Sequence, residues 1–439
     1  MTTTWRDIVG RVGIGALVVA AVALTLGVAW LVPQQPLVAV GVALVVLVAI
    51  AALVNPVTLP LLAMPLIVVV ARVGGGGVDL TLSDVMLALA FWPAVLLSPR
   101  PFSKELRALL WLNAVYQVLT LFTLIANPFL ANTVDWFHNW LLVSGALIVG
   151  WAVGRSGAGR TGTRLFLAAT AVLAVLGLVE AATYYVRGDF APLYPTRPFD
   201  MHKNYFGSLM SFAALMLYAR PAWLGLSRTV AHAGFWLCVA ALGVSQSRQA
   251  IVALAVGLVL VAFKGRHERG RGWLSIFLGI PALAVVATLV RDQIASGNQH
   301  NSYFQRLEWY DQSIANWQTS PWFGLGLRYW TEGRGLHNFH PPQVFLEVLA
   351  TTGVVGLLGF VVMAVGMIAV LWRVPGVSGA LALSTLVARL VQGQFDIFWL
   401  SPTTSIPFLL IGVLLGVLAM SRTDELSERQ VAGPAQVTA

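Results

Sequence analysis

The chain has 439 residues, of which 58% are hydrophobic and only 10% are charged, with 16 Trp and a formal net charge of +9. Apolar runs long enough to cross a bilayer recur along its length, which excludes a soluble protein built around one core. The single Cys238 excludes an intramolecular disulfide and a thiolate metal cluster. Basic residues of a membrane protein first set its orientation, so the positive charge does not indicate a nucleic acid partner. The composition therefore predicts an all-α polytopic membrane protein.

Apolar stretches separated by polar connections predict about 12–14 transmembrane helices. The lower number applies if a helix beside Asn55-Pro56 or beside Ser245–Arg248 is partial. Arg6 and Arg11 precede the first stretch, which favours a membrane helix over a cleaved signal peptide. The predicted spans are 12–32, 37–54, 57–72, 84–98, 107–126, 136–153, 164–185, 204–219, 230–245, 249–263, 273–290, 343–371, 377–394 and 403–420.

Most Lys and Arg residues fall in alternate connections, which the positive-inside rule assigns to the cytoplasm. Both termini are then expected to be cytoplasmic. Cations that oppose this rule concentrate in two outer segments, about 186–203 and 291–342, and the simplest reason for this concentration is an anion at the outer face, bound by some of them. The predicted organisation is 1–203 N-terminal transmembrane helices with an outer loop, 204–290 central helices, 291–342 an extracytoplasmic catalytic loop with short helices, 343–420 C-terminal helices and 421–439 a disordered cytoplasmic tail.

Four outer cations are candidates for binding a substrate. Lys203 precedes a predicted helix, whose dipole and free N–H groups favour an anion. Arg248 lies in a very short turn with little water, where a cation needs a partner, and its guanidinium matches a phosphate. Arg306 lies on a predicted amphipathic helix and could turn inward, and Arg328 follows in the same segment. The alternatives are helix capping, snorkelling to lipid headgroups and, for Arg306, a surface charge beside Glu308.

Two histidines follow in the same outer loop. His340 comes directly before Pro341-Pro342, and His337 lies three residues earlier. Neutral imidazole is the usual group that takes a proton from a hydroxyl near neutral pH. Proline favours the first turn of a helix, and the dipole of that helix would keep His340 neutral. A zinc site is the competing interpretation, but no Cys or further His lies nearby, and a structural histidine pair is a third.

Other polar residues are too costly to face lipid. Arg389 is predicted to bind Asp396 or the backbone inside the bundle. Asp79, Asp84 and His138 are candidate neighbours of an outer site, although no spacing connects them to it.

An ordered set of blocks resembles the O-antigen ligase and O-antigen polymerase superfamily over about 200–356. The family places a His-Asn pair shortly before the helix that starts with a Leu-Glu-like pair. Here that position falls on Pro342-Gln343, while His340 and His337 lie earlier, so a shifted loop would have to deliver the histidine. The blocks are Ser247-Arg248, Gln305-Arg306-Leu307-Glu308-Trp309, Pro321-Trp322-Phe323-Gly324-Leu325-Gly326 and Leu346-Glu347-Val348-Leu349-Ala350-Thr351-Thr352-Gly353-Val354-Val355-Gly356.

The resemblance implies a GT-C-like glycosyltransferase of the cytoplasmic (inner) membrane, acting at its outer face. It implies an inverting, metal-independent transfer without a cofactor, from a polyprenyl-diphosphate-linked glycan donor to a hydroxyl on a glycan or lipid acceptor. Arg248 and Arg306 would hold the diphosphate, and His340 or His337 would act as the base.

The sequence does not separate ligase from polymerase, since these differ in the acceptor. A transporter or flippase of lipid-linked glycan would also need outer cations, but it would not need a loop histidine. A non-enzymatic scaffold would leave the outer cations unexplained. No partner protein can be named from the sequence.

Overall fold

The computed structural model describes residues 50, 52, 54–73, 80–97, 100–265, 291, 302–331, 334 and 340–432. Helices dominate these residues, so the prediction of an all-α polytopic membrane protein is confirmed. The helices are α1 Thr58–Leu66, α2 Leu82–Leu97, α3 Lys104–Ala126, α4 Leu130–Trp140, α5 Ala146–Arg155, α6 Gly159–Tyr185, α7 Lys203–Ala219, α8 Arg228–Ser245, α9 Arg248–Lys264, α10 Ser302–Thr319, α11 Val344–Trp372, α12 Gly376–Gln392 and α13 Ser405–Ala432.

Shorter elements complete the described chain. A π-helical turn, Leu141–Gly145, joins α4 to α5, and a 3-10 turn lies at Ala222–Leu224. Strands β1 Arg72–Val73 and β2 Leu80–Thr81 pair antiparallel, with Arg72 opposite Thr81. By contacts the chain divides into two compact units, Met1–Leu59 and Pro60–Ala439, and the second holds every feature described below.

Six helical segments among the described residues are long and apolar enough to cross a membrane. Two further apolar helices, Leu82–Leu96 and Gly376–Gln392, are shorter. The predicted spans 12–32 and 273–290, and nearly all of 37–54, lie outside the described residues. The six segments are Lys104–Ala126, Leu130–Arg155, Gly159–Tyr185, Arg228–Ser245, Val344–Trp372 and Ser405–Thr423.

The spanning helices keep large apolar side chains on their outer faces. On α3, Trp111 and Ile125 are 72% and 71% exposed, and on α11 Val365 is 61% exposed. Such faces are stable when lipid rather than water surrounds them. The opposite faces of α3 and α11 pack closely, since a Cβ at Gly359 or Gly366 would lie within about 3 Å of leucine side chains of α3.

Helices α5 and α13 meet through paired small residues. Gly150 and Gly154 on α5 face Gly412 and Gly416 on α13, each pair four residues apart. A Cβ at Gly150 would lie 2.0 Å from the Leu409 carbonyl oxygen, so the two backbones are in direct contact. Without a hydrophobic effect between helices in lipid, such close packing drives their association.

Two predicted boundaries are wrong. The helix predicted over 57–72 ends at Leu66, because Pro65 and the β-branched run from Ile67 to Val70 disfavour its continuation into β1. The tail predicted to be disordered over 421–439 is helical as far as Ala432. Its sequence is rich in helix-forming residues, and Arg422 binds Glu105 at 3.1 Å.

Candidate functional site

Three of the predicted substrate-binding cations lie within electrostatic reach of one another. The pKa of Lys203 is lowered, first by burial and then by the positive charges of Arg248 and Arg306. Burial and then the charge of Arg306 likewise lower the pKa of Arg248. We call Lys203, Arg248 and Arg306 the cation cluster. Like charges this close repel, so the cluster favours an anion that neutralises them.

Close packing of α7 against the turn between α8 and α9 brings two of these cations together. Gln246 adopts a left-handed conformation with φ 51° and reverses the chain there. A Cβ at Gly207 of α7 would lie 2.5 Å from the Ser247 Cβ, so only glycine lets the turn approach. Lys203 and Arg248 are the first residues of α7 and α9, and this packing places the two helix starts side by side.

Arg306 reaches the cation cluster from helix α10. Its guanidinium donates a hydrogen bond to the Phe395 carbonyl oxygen at 3.1 Å, in the connection between α12 and α13. The inward orientation predicted for Arg306 therefore agrees with its contact. The next residue, Asp396, accepts a hydrogen bond of 2.6 Å from the side chain of Gln249. Asp396 thus lies on the same side as the cations.

The preceding residues of that connection bind the start of α11. The Gly393 carbonyl oxygen accepts the Val344 N–H at 2.8 Å, and the Gln394 side-chain oxygen accepts the amide of Gln343 at 3.0 Å. We call residues 393–396 the bridging loop. Its first half contacts the start of α11, and its second half contacts the cation cluster, so it connects the two groups.

His340 lies against an acidic residue of α11. Its Nδ1 is 3.0 Å from Glu347 Oε1, although the ring N–H does not point along this contact. The side chain of Glu347 is 3% exposed and that of His340 is 19% exposed. Gln343 caps α11 by accepting the Leu346 N–H at 2.6 Å, so the two prolines precede the helix rather than form its first turn. His337 lies outside the described residues.

Arg328 takes a different position from the cation cluster. Its Nε lies 2.9 Å from Asp135 Oδ1, and its backbone N–H donates to Asn132 Oδ1 at 2.9 Å. Asp135 is also within electrostatic reach of His340 and His138. The structure therefore groups Arg328 with the histidines, through Asp135.

A second histidine–carboxylate pair completes this group. His138 Nε2 lies 2.9 Å from Asp84 Oδ1. The other oxygen of Asp84 accepts the backbone N–H and the hydroxyl of Thr81, each at 2.8 Å. Asp84 is almost fully buried, so the carboxylate is fixed in position and fixes His138 in turn. We call His340, Glu347, Asp135, His138 and Asp84 the histidine cluster.

Arg389 is buried beneath the bridging loop. It donates to the carbonyl oxygens of Ile397, at 3.0 Å, and Phe398, and to the Thr404 hydroxyl at 3.1 Å. The predicted binding of Arg389 to the backbone is confirmed. It also lies within electrostatic reach of Glu347 and Asp396, so its charge offsets those of two carboxylates.

His202, directly before Lys203, is a second imidazole near the cation cluster. Its Nδ1 accepts the Asn204 N–H at 3.2 Å, so the proton of the neutral ring resides on Nε2. Burial lowers the pKa of His202, against the opposing effect of Asp396, and the charge of Lys203 lowers it further. The ring is therefore neutral at neutral pH.

Helix α11 is interrupted one and a half turns after Glu347. Gly353 has φ 66° and ψ −170°, outside the helical region, and a Cβ there would lie 2.3 Å from the Trp322 backbone. The turn from Pro321 to Gly326 lies against this break. Two blocks that are about 30 residues apart in the sequence thus form one structural unit.

Backbone hydrogen bonds join the two blocks. Leu325 and Gly326 donate to the carbonyl oxygens of Ala350 and Thr351, at 3.1 and 2.9 Å. In return, Val354 donates to the Pro321 carbonyl oxygen at 2.9 Å. Because a broken helix leaves its own backbone groups without partners, the turn supplies them. This unit holds the outer loop at a fixed place on α11.

No group of three or more His, Cys, Asp or Glu within the described ranges is arranged to hold a metal ion. A comparison with protein-family models finds that residues 233–361 match the family described as O-Antigen ligase. The match covers less than a third of the chain and supports the resemblance of that stretch to the O-antigen ligase and O-antigen polymerase superfamily. The search of curated proteins finds no match.

The O-antigen ligase match runs from α8 into α11. It includes Arg248, Arg306, the turn from Pro321 to Gly326 and the break at Gly353, which lie in the blocks that carried the resemblance, and it also includes His340. Lys203, the bridging loop and the Asp84–His138 pair lie outside it. The positions of these three parts of the site are therefore known from the structure of this chain and not from the family match.

Sequence reasoning missed two carboxylates of this site, Asp135 and Glu347. Asp135 and His138 are three residues apart, and that spacing on a helix could have indicated a shared face. Glu347 lies in the block from Leu346 to Gly356, but the sequence assigned it no chemical role. Asp84 lies 54 residues from His138, and no local pattern predicts such a pairing.

Proposed function

We propose that this chain is a membrane glycosyltransferase that transfers or polymerises a glycan. The donor is a polyprenyl-diphosphate-linked glycan, and the acceptor is a hydroxyl of another glycan or of a lipid. The reaction takes place at the outer face of the cytoplasmic membrane, with both chain termini in the cytoplasm. The observation that carries the proposal is that the bridging loop contacts both the cation cluster and the start of α11, the helix that holds Glu347 beside His340.

The cation cluster would bind the donor diphosphate. Guanidinium groups bind phosphate oxygens in a bidentate way, and Lys203 adds a third positive charge. As the glycosidic C1–O bond breaks, negative charge grows on the departing diphosphate. Cations held in place before the reaction stabilise that charge without reorganising, which is the role that metal ions fill in many phosphate sites.

His340 would act on the acceptor. Its Nε2 takes the proton of the acceptor hydroxyl while the hydroxyl oxygen attacks C1 from the face opposite the diphosphate. The new C1–O bond forms as the old one breaks, which inverts the configuration and releases polyprenyl diphosphate. Glu347, at Nδ1, would hold the ring in the productive orientation and stabilise the imidazolium as it forms.

The proposal is tested with the full chain purified into lipid nanodiscs, a polyprenyl-diphosphate oligosaccharide and a mixture of hydroxyl acceptors. Wild type is compared with His340→Ala, His337→Ala and, as a control on the outer loop, the exposed Arg187→Ala. We expect a new glycosidic product that His340→Ala or His337→Ala abolishes and Arg187→Ala does not. Normal product from both histidine variants would refute the assignment of the base. Movement of the donor across the bilayer without a new bond would identify a flippase instead.

A further inference from the structure

A small cavity lies at the start of α4, beside the Arg328–Asp135 pair. Its volume is about 220 Å³. Among the described residues, its charged lining residues are Arg328 and Arg334, and none of its described lining residues is acidic. The described lining residues are Phe129, Leu130, Ala131, Asn132, Arg328, Tyr329 and Arg334.

The two arginines are held differently. Arg328 is bound to Asp135 on one side and to Asn132 through its backbone, so its position is fixed and its charge is offset. Arg334 is exposed, and its guanidinium stacks on the Phe129 ring at 3.3 Å. A guanidinium on an aromatic face keeps its edge N–H groups available to an anion. Among the residues that the structure describes here, two arginines and one carboxylate, Asp135, leave one positive charge in excess.

The size and lining of the cavity suit one sugar ring. It is smaller than the roughly 300–1,000 Å³ of a site for a drug-sized molecule. Aromatic rings on its wall, Phe129 and Tyr329, can cover the apolar face of a pyranose, while the guanidinium groups supply directed hydrogen-bond donors. An uncharged sugar would leave the excess positive charge without a partner.

We infer that this cavity binds one negatively charged sugar residue of the acceptor glycan. The inference rests on the proposed function. The bound sugar is assigned to the acceptor rather than to the donor. Asp135 binds Arg328 at the cavity and lies within electrostatic reach of His340, the group that would take the acceptor's proton. The donor diphosphate belongs with Lys203, Arg248 and Arg306, which lie on the other side of the bridging loop from the start of α11. The shared chemistry is a pyranose that carries a carboxylate or a phosphate.

The test measures binding without any transfer. The full chain in nanodiscs is titrated with methyl glucuronide, glucose 6-phosphate and neutral methyl glucoside, and followed by saturation-transfer NMR at low salt. Wild type is compared with Arg334→Gln, Arg334→Lys and the control Arg187→Gln, which removes an exposed outer cation elsewhere. Because Arg334 is exposed, its replacement should leave the fold intact, which size-exclusion chromatography checks.

We expect wild type to bind one charged sugar at least about tenfold more tightly than methyl glucoside. Arg334→Gln should remove that preference, Arg334→Lys should retain part of it, and Arg187→Gln should leave it unchanged. The tighter of the two charged probes identifies the anion. Equal affinity for charged and neutral sugars, an unchanged preference in Arg334→Gln, or no binding of any probe would overturn the inference.

The two proposals fail separately. His340→Ala should still bind the charged sugar, because the base does not line the cavity. Transfer that depends on His340 without any binding of charged sugars would leave the glycosyltransferase standing and remove the subsite. Sugar binding without transfer would remove the glycosyltransferase and leave a glycan-binding site.

Discussion

The cation cluster and the histidine cluster differ in how their charges are balanced. In the histidine cluster each described histidine lies about 3 Å from a carboxylate, Glu347 for His340 and Asp84 for His138. The cation cluster groups three positive side chains, and the nearby Asp396 is bound by the amide of Gln249. In the histidine cluster the carboxylates are next to the histidines, whereas the three cations lie close enough to repel one another. The comparison suggests that binding charge and moving a proton are separate tasks here.

The largest expected effect comes from removing a guanidinium from the cation cluster. Arg248→Gln should lower kcat/KM about 10³-fold, because a charge-stabilising donor at the leaving group is lost. Part of this loss should come from weaker donor binding. Titration of the polyprenyl-diphosphate donor into Arg248→Gln and into wild type measures the difference in affinity.

Arg187→Gln is the matched control for Arg248→Gln, since it removes an exposed outer arginine. A normal rate for Arg248→Gln would show that the cation cluster does not bind the leaving group.

The histidine cluster should respond in the opposite way. Glu347→Gln should lower kcat about 10²-fold and leave donor affinity unchanged, because the carboxylate acts on His340 and not on the diphosphate. Steady-state kinetics and the donor titration separate the two effects. Asp189→Asn, the same chemical change at an exposed position, serves as control. A change confined to donor affinity would contradict the division between the clusters.

The break in α11 should support the histidine cluster and not the cation cluster. Gly353→Ala places a Cβ 2.3 Å from the Trp322 backbone at a positive φ, and should destabilise the fold by about 2 kcal/mol or more. Thermal unfolding in detergent measures the loss. Gly243→Ala is the control, because no atom lies within 4 Å of the added Cβ. Equal melting temperatures for wild type and Gly353→Ala would contradict the role assigned to the break.

The smallest effect is expected at His202. Its pKa is lowered below the ordinary value of 6.5, so it is neutral at pH 7 and adds no charge to the cation cluster. His202→Gln should therefore match wild type at pH 7 within about twofold, and differ only at acidic pH, where wild type gains a fourth cation. A pH–rate profile of both proteins checks this. A large loss at pH 7 would make His202 a rival to His340 as the base.

The positions of most described helices could be predicted from the local sequence, but few of the contacts between helices could. The predicted spans 204–219, 249–263 and 343–371 agree within about a residue with Lys203–Ala219, Arg248–Lys264 and Val344–Trp372. Each is an apolar run with a polar residue at its boundary, and a bilayer makes that boundary sharp. Helical periodicity states which residues share a face, but not which helices touch.

Tertiary pairing accounts for what the sequence did not predict in the site. The Phe395 oxygen lies 89 residues from Arg306, and the bridging loop has no pattern that predicts its two sets of contacts. The break at Gly353 was likewise not visible in the mostly apolar sequence of α11, because an isolated glycine is tolerated in a regular helix.

The unit formed by Pro321–Gly326 and the break at Gly353 is made almost entirely of main-chain atoms. Apart from its glycines, it places little demand on which side chains surround it. Side chains of the outer loop can therefore be exchanged over evolution without loosening its attachment to the membrane helix. If the proposed function holds, a frame of this kind would let changes at the loop surface alter the sugar that is accepted.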